Sequence, residues 1–171
     1  MNKISSTETG RFLETIESHK GIIYKVANSY CRDIADREDL IQEIVFQLWR
    51  SREKYNDRYA MSTWIYRIAL NVSISALRKS SRKKKTFPVS SQPIEWAAEE
   101  QSPEDEDLRQ LQQFIGQLKE LDRALILLYL DEKSHKEMSE ILGLSTTNIA
   151  TKLNRIKKKL GQMFEQEKNY E

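Results

Sequence analysis

Apolar positions along this chain recur at steps of three and four, the spacing of amphipathic helices rather than strands. Phe12, Ile16, Ile22, Ile23, Val26, Ala27 and Tyr30 predict a helical pair broken near Gly21. Leu40, Ile41, Ile44, Val45 and Leu48 gather on one side of a helix over 36–50. Trp64, Ile65, Ile68, Ala69 and Val72 do the same over 63–79. Between those two helices, 53–62 carries Asn56, Asp57 and several polar neighbours and reads as a loop. Residues 1–8 are polar and expected to fray.

A second helical set begins at Ser102-Pro103, a cap followed by proline at the first helical position. Its apolar line runs Leu108, Leu111, Ile115, Leu118, and Asp122 is expected to cap the next helix, 123–130. Then comes the most pointed pattern. Ser134 and Glu137 form a capping box, and Met138, Ile141 and Leu142 give the helix that follows its stripe. Gly143 ends that helix with a left-handed residue, and Ser145 caps another. In that last helix Ile149, Leu153, Ile156 and Leu160 share one side, while Thr147, Asn148, Thr151, Arg155 and Lys158 face away. A short helix, a tight glycine turn and a helix with a polar-basic outer face fit the major groove of DNA.

Composition narrows the classes. The 171 residues suit one or two small domains, and the sparing use of glycine and proline favours an all-α fold. One cysteine, Cys31, cannot form an internal disulfide, and two distant histidines make no structural zinc site. No apolar run approaches the roughly 20 residues of a membrane span, and the first residues do not form a signal peptide. No glycine-rich phosphate loop, nucleophile motif or metal cluster is visible, so neither an enzyme nor a cofactor is expected.

Net charge is only +2, but its distribution is uneven. Arg78, Lys79, Arg82, Lys83, Lys84 and Lys85 crowd together; Glu95, Glu99, Glu100, Glu104, Asp105, Glu106 and Asp107 follow; Lys152, Arg155, Lys157, Lys158 and Lys159 close the pattern. Two basic patches flanking an acidic stretch suggest two contacts with a polyanion. With Pro88, Ser90, Ser91 and Pro93, the segment 83–101 reads as an interdomain linker. The organisation is therefore a helical domain over 1–82, a flexible linker over 83–101 and a helix-turn-helix domain over 102–171.

The helix over 36–50 carries an odd outer face. Asp36, Asp39, Glu43 and Gln47 surround Phe46, with Gln42 at the margin. Asp39 and Glu43 are like charges one turn apart, which costs an isolated helix a few tenths of a kcal/mol. A basic, partly apolar protein partner would explain both the acids and the aromatic. Packing of Phe46 on a neighbouring helix, with the acids keeping the surface soluble, explains them equally well.

These segments carry a family resemblance. Asp39-Leu40-Ile41-Gln42-Glu43 with Phe46, Leu48 and Trp49 resembles the polymerase-binding helix of bacterial sigma factors. Trp64-Ile65-Tyr66-Arg67-Ile68-Ala69 with Asn71, ending in Arg78-Lys79, resembles their promoter-opening helix. The short two-domain chain is similar to the extracytoplasmic-function (ECF) subfamily, over roughly residues 10–82 and 104–162. The resemblance implies a sigma region 2-like bundle and a region 4-like helix-turn-helix domain. It implies that Asp39, Gln42, Glu43 and Phe46 dock on the clamp helices of the largest subunit of core RNA polymerase, and that the β flap is a second contact. It implies a pocket for a flipped minus-ten base formed by the loop from Tyr55 to Ser62, with Tyr59 and Met61, together with Asn71; Arg67, Arg78 and Lys79 would lie near backbone phosphates. Ser145, Thr147, Asn148, Thr151, Lys152, Arg155 and Lys158 would read the minus-thirty-five element. An anti-sigma protein, a cytoplasmic location at the nucleoid and no membrane insertion are further implications.

The chain departs from the family pattern at three positions. Met61 stands where many members have phenylalanine, Ala150 where a basic residue is common and Lys152 where arginine is. Contacts of the last helix are then expected to be fewer or shifted toward Thr151, Asn154 and Arg155. Read from the residues alone, Trp64 belongs to the core rather than to DNA, His135 is solvated, and Lys157, Lys158 and Lys159 touch phosphates rather than bases. Asn71 inside an apolar run stands out, since a buried amide must find partners. A stand-alone helix-turn-helix regulator is the alternative function, and a helical adaptor that binds only proteins a more distant one.

Overall fold

The computed structural model describes residues 6–84 and 103–169, with side chains for 6–83 and 106–169. All regular structure among the described residues is helical: α1 Ser6–Tyr30, α2 Ile34–Ser51, a 3-10 turn Arg52–Lys54, α3 Met61–Lys84, α4 Pro103–Gln117, α5 Glu120–Leu130, α6 His135–Leu142 and α7 Thr146–Lys168. The chain divides into two compact units, Met1–Arg78 and Lys79–Glu171.

In the first unit, α1 runs unbroken through Gly21, contrary to the helical pair expected from sequence. A mid-helix glycine costs only about 1 kcal/mol relative to alanine. Here Ile23, Val26, Ala27 and Tyr30 follow it into the core and hold the helix together. Helix α2 starts two residues before the expected position, behind Asp33, whose carboxylate accepts the Asp36 N–H at 3.0 Å. Leu40, Ile44 and Leu48 are buried; Ile41 and Val45 are only half-buried. The core closes on Ile65, Tyr66, Ala69, Leu70 and Ile74 of α3. Burying each such large side chain contributes roughly 1.5–3 kcal/mol.

Helix α3 outlasts the predicted 63–79 at both ends. It begins at Met61, which shortens the expected loop, and it carries Arg78, Lys79, Arg82 and Lys83 on helical backbone. Lys83 and Lys84 are thus helical rather than linker, while the rest of that segment, and the expected cap Ser102, lie outside the described residues.

In the second unit the apolar line of α4 differs from the sequence expectation. Leu108 is 53% exposed, and Phe114 takes the buried place beside Ile115, with Leu118 just beyond the helix. Phe114 meets Phe164 of α7 edge to face, ring centroids 4.8 Å apart. Asp122 does not cap α5; that helix starts at Glu120 behind Lys119, which puts Asp122 inside the first turn. The bend between α4 and α5 is tied instead by Arg123, 8% exposed, whose guanidinium donates to the carbonyls of Gly116 and Leu118 at 2.6 and 3.2 Å.

The turn from α5 to α6 holds Glu132 at φ 56°, a left-handed conformation. Residues with a Cβ resist it by about 1–2 kcal/mol, a cost glycine avoids but partly returns through its freer unfolded chain. Glu132→Gly is therefore expected to stabilise this unit by about 0.5–1 kcal/mol. For a unit of this size the melting temperature should rise by several degrees. A melt of the full chain by circular dichroism checks it; a lowered midpoint would contradict the strain at this position.

Candidate nucleic-acid interface and docking face

The helix-turn-helix forms as its sequence dictates. The Glu137 N–H donates to Ser134 Oγ at 3.2 Å, and the Ser134 N–H donates to Glu137 Oε2 at 2.8 Å. Those bonds, the backbone one foremost, hold the Glu137 carboxyl below its usual range. Gly143 sits at φ 70° and returns its N–H to the Ser139 carbonyl. The Ser145 hydroxyl accepts the Asn148 N–H at 3.1 Å, which caps the start of α7. Ile149, Leu153, Ile156 and Leu160 are all buried, which fixes the rotation of α7 about its axis.

That rotation decides what faces outward. Thr147, Asn148, Thr151, Arg155 and Lys158 are all exposed, and Ser145 is exposed at the cap. Lys152 lies on the flank, half-buried, as does Ala150. Two side chains are less free than sequence suggests. Lys157 stands over the Tyr129 ring of α5, 3.8 Å from its centroid, and Arg155 pairs with Asp122 at 3.6 Å. His135 is exposed, as expected for the first turn of α6.

In the other unit, Asn71 is exposed, not buried, which removes the supposed conflict of an amide in a core. At about 100° per residue, Arg67, Asn71, Ser75, Arg78 and Arg82 project along one strip of α3 opposite its core. Apart from half-buried Arg67 these residues are exposed, as is Lys79 beside them. The loop before α3 abuts the start of this strip. The Tyr55 hydroxyl donates to the Tyr59 carbonyl at 3.0 Å, and the Tyr55 ring leans on Trp64 with centroids 5.4 Å apart. Arg67 stands over the Tyr59 ring at 5.1 Å. The structure thus brings Tyr59, Arg67 and the first turn of α3 together. Trp64, read from sequence as core, is half-buried against this loop, whereas Tyr66 is the aromatic that fills the core. Met61, the first residue of α3, is half-buried.

A third surface lies on α2. Asp39, Gln42, Glu43 and Phe46 are all exposed, Phe46 by 53%. Phe46 and Gln42 line a groove of roughly 460 Å³ together with Thr9, Phe12 and Leu13 of α1 and Ile41, Val45 and Trp49 of α2. Ile41 and Val45, half-buried, are among the apolar side chains that line this groove. The Trp49 ring in this lining meets Phe12 edge to face at 5.0 Å and carries the Arg52 guanidinium 4.0 Å from its centroid. Arg52 also reaches Glu8 at 3.3 Å. The sequence pattern singled out the acids and Phe46 but not the groove, since Phe12 and Leu13 come from a helix distant in sequence. No helix among the described residues is long and apolar enough to cross a membrane.

Comparison with known proteins agrees with this division. Residues 15–83 match the family described as Sigma-70 region 2, and residues 108–160 match Sigma-70, region 4. The ECF RNA polymerase sigma factor SigW of Bacillus subtilis is 25% identical over 170 residues, covering 91% of this chain and 89% of that protein. The RNA polymerase sigma factor SigV of the same organism is 26% identical over 156 residues, covering 90% of each. Among solved structures, the sigma factor RpoE in complex with the anti-sigma factor NepR from Bartonella quintana superposes with a TM-score of 0.70 at 18% identity, covering 94% of this chain and 98% of that one. CnrH in complex with the cytosolic domain of CnrY follows with 0.63 at 19%, covering 90% and 87%. At such identities these two structures speak for a shared fold.

Proposed function

The chain belongs to the sigma-70 family of RNA polymerase sigma factors, of the ECF type, and from that premise we propose how its surfaces divide the work. It binds core RNA polymerase, recognises promoter DNA and promotes strand opening. The acidic face of α2, with Asp39, Gln42, Glu43 and Phe46, is the docking face for the clamp helices of the largest core subunit. The strip on α3 with Tyr59, Met61, Arg67, Asn71, Arg78 and Lys79 takes the minus-ten element and holds a flipped base. The outer face of α7, from Ser145 through Thr147, Asn148, Thr151, Lys152, Arg155 and Lys158, reads the minus-thirty-five element, and this unit also meets the β flap.

The observation that carries this reading is that α3 and α7, one in each matched region, both present an exposed polar strip set opposite their buried apolar residues. On α3 and α7 that strip bears arginine and asparagine, the side chains best suited to guanine and adenine edges. A stand-alone regulator is not favoured: it leaves the region 2 match over 15–83 without a role. The polymerase carries out the chemistry, and the chain has no catalytic activity of its own. It works in the cytoplasm, at the nucleoid. An anti-sigma protein restrains it, a reading supported by the complex of the related RpoE with NepR.

Run-off transcription with sigma-free bacterial core polymerase and genomic fragments tests the whole. Specific transcripts that require the added chain are expected; specific duplex binding without polymerase, and no transcripts with it, would restore the regulator. Within this reading, Arg155→Ala should cost about 1–3 kcal/mol of discrimination at one upstream base pair. Footprints on single-base variants of the upstream element measure it, and an unaltered pattern on every variant would remove Arg155 from the reading face.

A further inference from the structure

Asp122 was expected to cap α5, and it does not; its carboxylate is turned to another use. It lies in the first turn of α5 with a side chain only 17% exposed, and its Oδ1 is 3.6 Å from Nη2 of Arg155, whose side chain is 66% exposed. A mostly covered acid thus pairs with one terminal nitrogen of a mostly solvated guanidinium that stands on the outer face of α7. So open a pair adds little to stability, because water and salt screen it. Its effect on where the guanidinium points is the larger one.

Resting on the reading of α7 as the upstream-element helix, we propose that Asp122 is a positioning residue that makes Arg155 a reader of a base edge instead of a phosphate clamp. Two physical consequences of the pair lead there. A long, rotamer-rich side chain loses entropy when DNA immobilises it, and a carboxylate that holds it beforehand lowers that loss. The same carboxylate offsets the arginine charge and repels a phosphate at close range. What remains favourable is a neutral acceptor pair met by the guanidinium's other donors, and the major-groove edge of guanine presents one. Lys158, exposed on the same face of α7, suits the phosphates.

The experiment uses reconstituted holoenzyme and a duplex library randomised across the upstream element, sequenced after binding in a salt series. The parent, Asp122→Asn, Arg155→Ala and the double variant are compared, with Asp122→Glu as the conservative control and thermal melts of each free chain. Arg155→Ala should lose at least about five-fold discrimination at one base pair, the low end for a bidentate contact. Asp122→Asn should lose about three- to ten-fold at that same base pair, with unaltered melting and a steeper salt dependence, because the freed arginine now contacts phosphate. The double variant should lose no more than Arg155→Ala, and Asp122→Glu should keep most of the discrimination. Uniformly tighter binding by Asp122→Asn to all sequences, with discrimination at that base pair unaltered, would overturn the proposal, leaving the acid as a mere competitor of DNA. So would an Asp122→Asn effect that persists without Arg155. If Arg155→Ala itself changes no position, the assignment of Arg155 falls, a result distinct from failure of the Asp122 proposal alone.

Discussion

Glu43→Lys is expected to lower the affinity of the free chain for sigma-free core polymerase by at least about 100-fold while leaving its helicity and melting unaltered. The carboxylate is exposed on α2, and its one structural tie is the hydrogen bond it accepts from Gln47 Nε2 at 2.8 Å, itself on the surface. Losing such a bond costs little. On the docking face the balance is different. Asp39 and Glu43 form an acidic field around one exposed aromatic, Phe46. A partner that fits it is basic and brings an apolar group for the groove that Phe46 and Gln42 help line. Replacing attraction by like-charge repulsion at such a contact costs several kcal/mol. Each 1.4 kcal/mol is a factor of ten in affinity, so about 3 kcal/mol already gives the expected loss. Co-elution or fluorescence anisotropy with purified core enzyme reads it directly. Normal holoenzyme formation by the variant would move the docking face away from α2.

How far the sequence alone reached depends on the range of the interactions concerned. Ser134, Glu137, Gly143 and Ser145 act within four residues, and all four do in the structure what their identities require. The buried line Ile149, Leu153, Ile156, Leu160 was legible for the same reason: one helix, one period. Gly21 misled because its local weakness is overruled by packing across the unit. Leu108 and Phe114 exchanged roles because Phe164, fifty residues away, supplies the partner that buries Phe114. Asn71 was placed on the wrong side because an apolar neighbourhood in sequence is not one in space; its neighbours turn inward and it turns out. The groove between α1 and α2 and the pairing of Asp122 with Arg155 join elements that no periodicity connects.

The exposure of Asn71 also sharpens the second large effect. Asn71→Ala should reduce promoter opening by about ten-fold or more while altering closed-complex binding by less than about two-fold. The substitution cannot act by unfolding the chain. At a solvated position inside a helix, alanine is the better helix former by a few tenths of a kcal/mol, so the variant should be as stable as the parent or more so. The loss must then arise on DNA. Capturing a flipped base means offsetting an unstacking cost of a few kcal/mol. Tyr59, Arg67 and the Asn71 amide are the groups this end of α3 and its loop can offer, as ring, cation and paired donor and acceptor. Removing the amide takes away a hydrogen bond that exists only once the base is out, and a buried base edge left unpaired costs about 1–3 kcal/mol. Duplex binding, assigned on the proposed reading to phosphate contacts from residues such as Arg78 and Lys79, does not depend on that bond. Permanganate reactivity of thymines in the melted region measures opening, and a filter-binding titration at a temperature too low for melting measures the closed complex. Equal losses in the two assays would make Asn71 a backbone contact and leave the flipped base to be held by the Tyr59 loop alone.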